Sequence, residues 1–185
     1  MCANFKDSSH FDTYNHWYTP YSAWEQISEF IPKSFTIYEA FLLHSNEQSK
    51  KNLEKLGYKV IGDKTLDFLG EIIPDRSTYQ LIVSNPPFER ISSFQDRKNN
   101  LKYKCLSKLL ELNKPFIIIL NSTNIFQKWF KELFDGKDIK FIFPSKKIEF
   151  DKYDETGTTL LESNGSCSFN SVYVTYKVLD KNEWV

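Results

Sequence analysis

The sequence predicts an α/β protein built on a doubly wound, mostly parallel sheet. Helical and strand patterns alternate from about residue 20 to residue 144. Such alternation is typical of parallel strands joined by crossover helices. The run 115–120 is continuously apolar, as expected of a central strand that is buried on both faces. The last two predicted strands have no helix between them, which predicts an antiparallel hairpin at one edge.

Helices are predicted where apolar residues recur at helical spacing. The predicted helices are residues 20–31, 46–56, 101–112 and 124–134. Pro20 suits the first turn of the first helix, with Thr19 as its N-cap. Pro32 ends that helix, and Gly57 ends the second.

Strands are predicted at short runs rich in β-branched and aromatic residues. These runs are residues 35–40, 58–61, 66–69, 79–84, 115–120, 139–143 and 171–178. Segments 89–100 and 153–165 are polar and show no clean period, so both are predicted to be loops.

Length and composition are those of one ordinary globular domain. The chain has 185 residues, of which 41% are hydrophobic, and its 24 basic and 24 acidic side chains balance. Residues 1–15 are expected to form a polar arm and residues 16–185 a single domain. Because a stand-alone nucleic-acid binder is usually basic, nucleic-acid contacts would have to be local or shared with a partner subunit or a second copy.

The N-terminal residues contain no apolar signal core, and no apolar run has the length of a membrane span. An intracellular location, cytoplasmic or nuclear, is therefore expected. Cys2, Cys105 and Cys167 lie far apart, so neither a disulfide framework nor a cysteine metal site is predicted.

The sequence Asn85-Pro86-Pro87-Phe88 follows the strand predicted at 79–84. Prolines cannot donate to a sheet ladder, so the strand must end there in a stiff turn. That turn carries one amide and one ring at the carboxyl end of a strand, where open α/β sheets bind ligands. A plain proline turn with Phe88 tucked into the core is the simpler alternative.

With this order of elements, residues 85–88 resemble the catalytic motif of class I S-adenosylmethionine-dependent methyltransferases. More narrowly, the chain looks like the N6-adenine enzymes that modify nucleic acid, and the resemblance covers roughly residues 16–178. Residues 167–173 resemble the last hairpin of virus- and phage-like members. The resemblance implies a Rossmann-like sheet of seven strands, mostly parallel, with helices on both faces and an antiparallel last hairpin.

The same resemblance implies that S-adenosylmethionine is the cofactor and indicates which residues hold it. The segment that holds the methionine end is matched by Tyr18, Thr19 and Pro20. The acidic end of the first strand is matched by Glu39 and Phe41. The acidic-aromatic pair that meets the adenine is matched by Asp67 and Phe68. Asn85 would also lie against the cofactor. Asp63 is a candidate for the ribose hydroxyls, although a surface aspartate is an equally good interpretation.

The residue types of the motif suit transfer of a methyl group to an adenine amine. The Asn85 side-chain oxygen and the Pro86 carbonyl could accept the two amine hydrogens, while Pro87 stiffens the turn. Neither acceptor is a base at neutral pH, so catalysis would depend on positioning and electrostatics. Phe88 would stack on a flipped base.

Basic side chains follow the motif and could reach phosphates, or could simply form a solvated charged face. They are Arg90, Arg97, Lys98, Lys102 and Lys104.

One segment departs from the family pattern. The family has a glycine-rich turn after the first strand, whereas residues 41–46 contain no glycine, and Leu42, Leu43 and His44 add bulk there. Two interpretations follow: an active N6-adenine methyltransferase acting on DNA, or a methyltransferase-like binding or partner subunit with impaired catalysis. RNA adenine and protein glutamine are further acceptors that the motif would suit.

Overall fold

The computed structural model describes residues 17–42, 47–63, 68–70, 73–86, 100–153, 160–162 and 169–185. Ten strands lie in these residues: β1 (Trp17–Tyr18), β2 (Thr36–Tyr38), β3 (Lys59–Ile61), β4 (Leu81–Ser84), β5 (Phe116–Asn121), β6 (Ile139–Phe143), β7 (Asp151–Tyr153), β8 (Leu160–Glu162), β9 (Ser171–Tyr176) and β10 (Glu183–Trp184). The α-helices are α1 (Tyr21–Gln26), α2 (Gln48–Lys55), α3 (Leu101–Leu112) and α4 (Lys128–Phe134). Short 3₁₀ helices occupy Ser28–Phe30, Arg76–Thr78 and Ser122–Phe126.

Seven strands form the central sheet in the order β10-β6-β9-β5-β4-β2-β3. Strands β2 to β5 pair in parallel, and β10 is parallel to β6. Strand β9 is antiparallel to both of its neighbours, β5 and β6. The predicted mostly parallel sheet with an antiparallel last hairpin is therefore confirmed.

Helices cover both faces of this sheet, as predicted. On β5, Phe116 and Ile118 pack with residues of α3 and α4, whereas Ile117 and Ile119 pack with residues of α1 and α2. Since successive strand residues point to opposite faces, this division places the two helix pairs on opposite sides of the sheet.

The seven strands are not the seven that were predicted. No strand is assigned at residues 68–70, where Phe68 begins a turn, and Leu66 and Asp67 lie outside the described residues. The seventh strand is instead β10, which has two residues and is too short to carry a recognisable alternation. Strand β4 is consequently the third strand of the central sheet in chain order among the described residues, rather than the fourth.

A second, three-stranded sheet was not predicted. Strand β7 pairs antiparallel with both β1 and β8. The segment 153–165, predicted to be a loop, therefore contains strand β8. This small sheet matters for the site because β1 ends directly before Thr19.

The predicted N-cap of the first helix is wrong. Helix α1 begins at Tyr21 with Pro20 as its N-cap, and no side chain caps it. The Thr19 hydroxyl instead accepts a hydrogen bond from Asn85. The predicted helix 20–31 also breaks into α1 and a 3₁₀ turn, and the predicted helix 124–134 becomes a 3₁₀ turn followed by α4. In the described part of the chain, no helix combines the length and apolar character needed to cross a membrane.

Candidate functional site

The carboxyl ends of the parallel strands bring several predicted site residues to one edge of the sheet. Glu39 follows β2, Asp63 lies two residues after β3, and Asn85 follows β4. Strand β2 lies between β3 and β4, and all three run in the same direction. This edge is where open α/β sheets place their ligands.

Asn85 is half-buried, and its side-chain amide is held from one side. Asn85 Nδ2 donates to Thr19 Oγ1 at 3.0 Å. Asn85 Oδ1 is shielded from solvent and has no hydrogen-bond donor among the described residues. Pro86 is buried, while Pro87 and Phe88 lie outside the described residues. The structure therefore shows a buried carbonyl oxygen with capacity to accept a hydrogen bond.

Thr19 is itself fixed by its neighbours. It is only 2% exposed and lies between β1 and α1. Its backbone carbonyl accepts a hydrogen bond from Asn52 Nδ2 on α2 at 3.0 Å. The other end of the Asn52 amide, Oδ1, accepts from Gln48 Nε2 at 3.0 Å.

Glu39 is also buried, with 2% exposure, and it joins three parts of the fold. Its Oε1 accepts hydrogen bonds from the hydroxyl of Ser84 on β4 and from the Phe41 N–H, and its Oε2 accepts from the hydroxyl of Ser49 on α2. The Trp24 indole N–H donates in turn to Ser49 Oγ at 3.1 Å.

Burial raises the pKa of the Glu39 carboxyl to about 7, and the hydrogen bonds from Ser49 and Ser84 offset only part of this effect. The carboxyl therefore changes charge near neutral pH while it remains inside the protein.

The other predicted cofactor residues divide into buried and exposed groups. Tyr18, Pro20 and Phe68 are buried, and Phe68 meets the half-buried Phe41 edge-on, with 4.9 Å between ring centroids. Asp63 is exposed. Asp67 lies outside the described residues.

The glycine-free segment after β2 begins inside the core. Leu42 is 2% exposed, and its Cδ1 would lie 3.4 Å from a Cβ placed on Gly62, at the end of β3. Leu43 and His44, like the rest of 43–46, lie outside the described residues.

Of the predicted phosphate-binding residues, two are described. Both lie in the first turn of α3, where Lys104 is exposed and Lys102 is 3% exposed. As the structure stands, a phosphate could reach Lys104 but not the buried Lys102. The others, Arg90, Arg97 and Lys98, lie outside the described residues.

Sequence reasoning missed Ser49, Asn52, Ser84 and Gly62. Ser84 is a polar residue at the end of an apolar strand, directly before the motif, which was a usable signal. Ser49 and Asn52 are three residues apart and share one face of α2, but only the tertiary structure shows what that face meets. Gly62 has φ +124°, and a Cβ there would lie 2.3 Å from the Glu39 carbonyl oxygen, so β2 and β3 approach closely only with glycine at this position.

Comparison with solved structures finds proteins of similar fold that share little sequence identity with this chain. A protein of Listeria monocytogenes assigned as a class I S-adenosylmethionine-dependent methyltransferase is similar with a TM-score of 0.54 and 10% identity, over 92% of this chain and 66% of that one. A modification subunit assigned to a type I restriction enzyme of Vibrio vulnificus gives a TM-score of 0.45 and 9% identity, over 90% of this chain and 45% of that one. A protein of Agrobacterium tumefaciens assigned as an O-methyltransferase gives 0.33 and 8%, over 81% of this chain and 64% of that one.

The chain thus spans about two thirds or less of the length of these structures. No protein-family model matches the chain. No curated protein matches it either. The likeness to the Listeria protein shows that this chain has the fold of that assigned methyltransferase.

Proposed function

We propose that this chain is an S-adenosylmethionine-dependent methyltransferase that acts on the N6 amine of adenine in nucleic acid, with DNA as the favoured acceptor. The observation that carries the proposal is Asn85 Oδ1 at the carboxyl end of β4, a buried acceptor that has no donor among the described residues. Leaving a buried acceptor unsatisfied costs about 1–3 kcal/mol, and an N–H donor from a bound base would remove that cost. The methyltransferase-like fold supports this assignment.

The proposed chemistry uses two carbonyl oxygens. Asn85 Oδ1 would accept one hydrogen of the exocyclic amine, and the Pro86 carbonyl would accept the other. Two acceptors draw the amine toward a tetrahedral geometry, which makes the nitrogen lone pair available for attack. Because neither oxygen is basic at neutral pH, the amine proton would leave during or after transfer of the methyl group. The rate enhancement would come from orientation and fixed dipoles.

The described residues fit the base better than they fit the cofactor. S-adenosylmethionine would supply the methyl group, and the exposed Asp63 suits its ribose hydroxyls. Glu39 does not suit its amino group. Both Glu39 oxygens already accept hydrogen bonds within the protein, and the side chain is 2% exposed.

The hydrogen bonds that Glu39 makes within the protein also favour a second candidate, a methyltransferase-like binding or partner subunit with impaired catalysis. Such a subunit would keep the sheet edge and could still bind a base at Asn85, but it would bind the cofactor weakly. Cofactor affinity separates the two candidates, since the enzyme requires it and the subunit does not.

Nucleic acid would be held partly by basic side chains beyond the motif. Lys104 is the exposed member of this set among the described residues, and Arg90, Arg97 and Lys98 are proposed to act with it. With a net charge of zero, the chain has little general attraction for phosphates, so binding should require this local patch or a partner.

Transfer of a labelled methyl group tests the proposal. Wild-type protein should label adenine in DNA more than RNA or protein glutamine, and Asn85→Ala should lower transfer by about a hundredfold or more with cofactor affinity retained. Asn182→Ala is the matched control, because Asn182 is exposed and its side chain accepts a hydrogen bond from the Phe141 N–H of β6, toward the opposite edge of the sheet. If Asn85→Ala transferred methyl groups at the wild-type rate, the chemistry would not take place at Asn85.

A further inference from the structure

We infer that helix α2 positions the Asn85 amide, through Asn52 and Thr19, so that its oxygen rather than its nitrogen faces the substrate. The catalytic meaning of this inference rests on the proposed function. The positioning itself rests on hydrogen bonds between buried and half-buried residues that lie far apart in the sequence.

The first step is the orientation of the amide. The two ends of an asparagine amide have nearly the same shape, so hydrogen bonds decide which end points where. Asn85 Nδ2 donates to Thr19 Oγ1 at 3.0 Å, and Oδ1 is the end that meets no donor in the part of the chain that the structure describes. If the amide were reversed, Nδ2 would occupy the buried position and would repel an incoming amine. In this arrangement the Thr19 hydroxyl accepts from Nδ2, so the carbonyl end of the Asn85 amide is left for the substrate.

The second step is the placement of Thr19. Its carbonyl is held by Asn52 Nδ2, and Asn52 is 6% exposed. Gln48, one turn earlier on α2, donates to Asn52 Oδ1 and so fixes the orientation of that amide as well. Because a backbone carbonyl can only accept, the Thr19 carbonyl fixes which end of the Asn52 amide is the donor.

The third step is a parallel connection from the same helix. Ser84, directly before Asn85, donates to Glu39, and Glu39 also accepts from Ser49 on α2. Ser49 and Asn52 are one turn apart on one face of α2. Two consecutive residues, Ser84 and Asn85, are therefore tied to one helix by two separate sets of buried and partly buried hydrogen bonds. Apolar packing alone would not need such ties, and satisfied buried polar networks fix a single geometry.

Two substitutions at Thr19 separate positioning from simple folding. Thr19→Val keeps the shape and removes the hydroxyl, whereas Thr19→Ser keeps the hydroxyl and removes a methyl group. Asn52→Asp removes the donor to the Thr19 carbonyl and keeps the acceptor for Gln48. Glu54→Gln, at an exposed position on the same helix, is the control.

The first measurement needs no enzyme activity. The side-chain amide signal of Asn85, assigned by its loss in Asn85→Ala, should exchange its protons slowly in wild-type protein, Thr19→Ser and Glu54→Gln. In Thr19→Val and Asn52→Asp, exchange should be at least tenfold faster. Unchanged exchange in Thr19→Val would overturn the inference.

The second measurement is steady-state methyl transfer. Thr19→Val should lower kcat about tenfold, equivalent to ~1.4 kcal/mol, without changing KM for S-adenosylmethionine, and Thr19→Ser should restore most of it. A rise in cofactor KM with kcat unchanged would overturn the inference, because Thr19 would then act on the cofactor.

The two measurements also separate the inference from the proposed function. If wild-type protein transferred no methyl group but the exchange pattern were as expected, the proposed function would fail and the positioning of Asn85 would stand. If wild-type protein were active and Thr19→Val matched it in both measurements, the inference would fail and the function would stand.

Discussion

The buried Glu39 carboxyl makes the stability of the protein depend on pH near neutrality, and Glu39→Gln should remove that dependence. Burial raises the folded-state pKa to about 7 from an ordinary 4.5. Because the pKa is raised, folding favours the protonated form. The stabilising effect of burying a neutral carboxyl is complete below pH 4.5 and is lost as the pH rises through 7. Over that window the loss is about 3 kcal/mol, at ~1.4 kcal/mol per pH unit.

The contacts of Glu39 set the cost of the substitution itself. A glutamine oxygen can still accept from Ser84 and from the Phe41 N–H. Its NH₂ group would face Ser49 Oγ, which already accepts from Trp24, so the Ser49 proton would lose its acceptor. Loss of one hydrogen bond costs about 1 kcal/mol.

Urea denaturation at pH 5 and pH 8.5 compares the free energy of unfolding of wild-type protein with that of Glu39→Gln. At pH 5 the variant should be about as stable as wild type. The free-energy cost of the hydrogen bond that the variant lacks and the cost of burying the wild-type carboxyl are then nearly equal. At pH 8.5 it should be more stable by about 2 kcal/mol. The exposed Glu54→Gln shows what the same substitution does on the surface, and its pH dependence should be much smaller. If the difference between Glu39→Gln and wild type changed by less than about 1 kcal/mol between the two pH values, the carboxyl would not be ionising inside the protein.

Two further substitutions test the packing that supports the site, and chemical denaturation measures both. Gly62→Ala should cost more than Gly57→Ala, because both glycines have positive φ but only a Cβ at Gly62 would meet a backbone oxygen, at 2.3 Å. We expect about 1 kcal/mol at Gly57 and at least 2–3 kcal/mol at Gly62, and equal costs would mean that the close approach of β2 and β3 relaxes easily. Tyr173→Phe should cost about 1–2 kcal/mol, because the buried Tyr173 hydroxyl donates to the Ala23 carbonyl at 2.6 Å and that carbonyl would lose a partner. If Tyr173→Phe left the free energy of unfolding unchanged, α1 would satisfy the Ala23 carbonyl in another way.

Local patterns in the sequence predicted the central architecture well. Strand β6 and helix α3 have the predicted bounds, because Pro144 ends the short apolar run of β6 and a helical apolar period marks α3. The apolar run that becomes β5 correctly indicated a strand buried on both faces. The order of helices and strands was enough to predict a mostly parallel sheet with an antiparallel hairpin, although β10 and not the hairpin of β6 and β9 forms the edge.

Features that depend on tertiary pairing could not be predicted. Strand β10 has two residues and forms because it pairs with β6. The small sheet of β1, β7 and β8 joins segments more than 130 residues apart, and no local pattern signals that pairing. The sequence indicated Thr19, Glu39 and Asn85 as candidate site residues, but it also assigned Thr19 as a helix cap, which is wrong. The contact between Thr19 and Asn85 spans 66 positions and is visible only in the folded chain.

Calorimetric titration of the wild-type chain with S-adenosylmethionine distinguishes the proposed enzyme from a binding subunit. The enzyme requires the cofactor to reach the sheet edge beside Asn85, despite the internal hydrogen bonds of Glu39 and the burial of Leu42. We predict saturable heat of binding together with an increase in thermal stability. No heat and no thermal shift at millimolar cofactor would contradict the proposed methyltransferase activity.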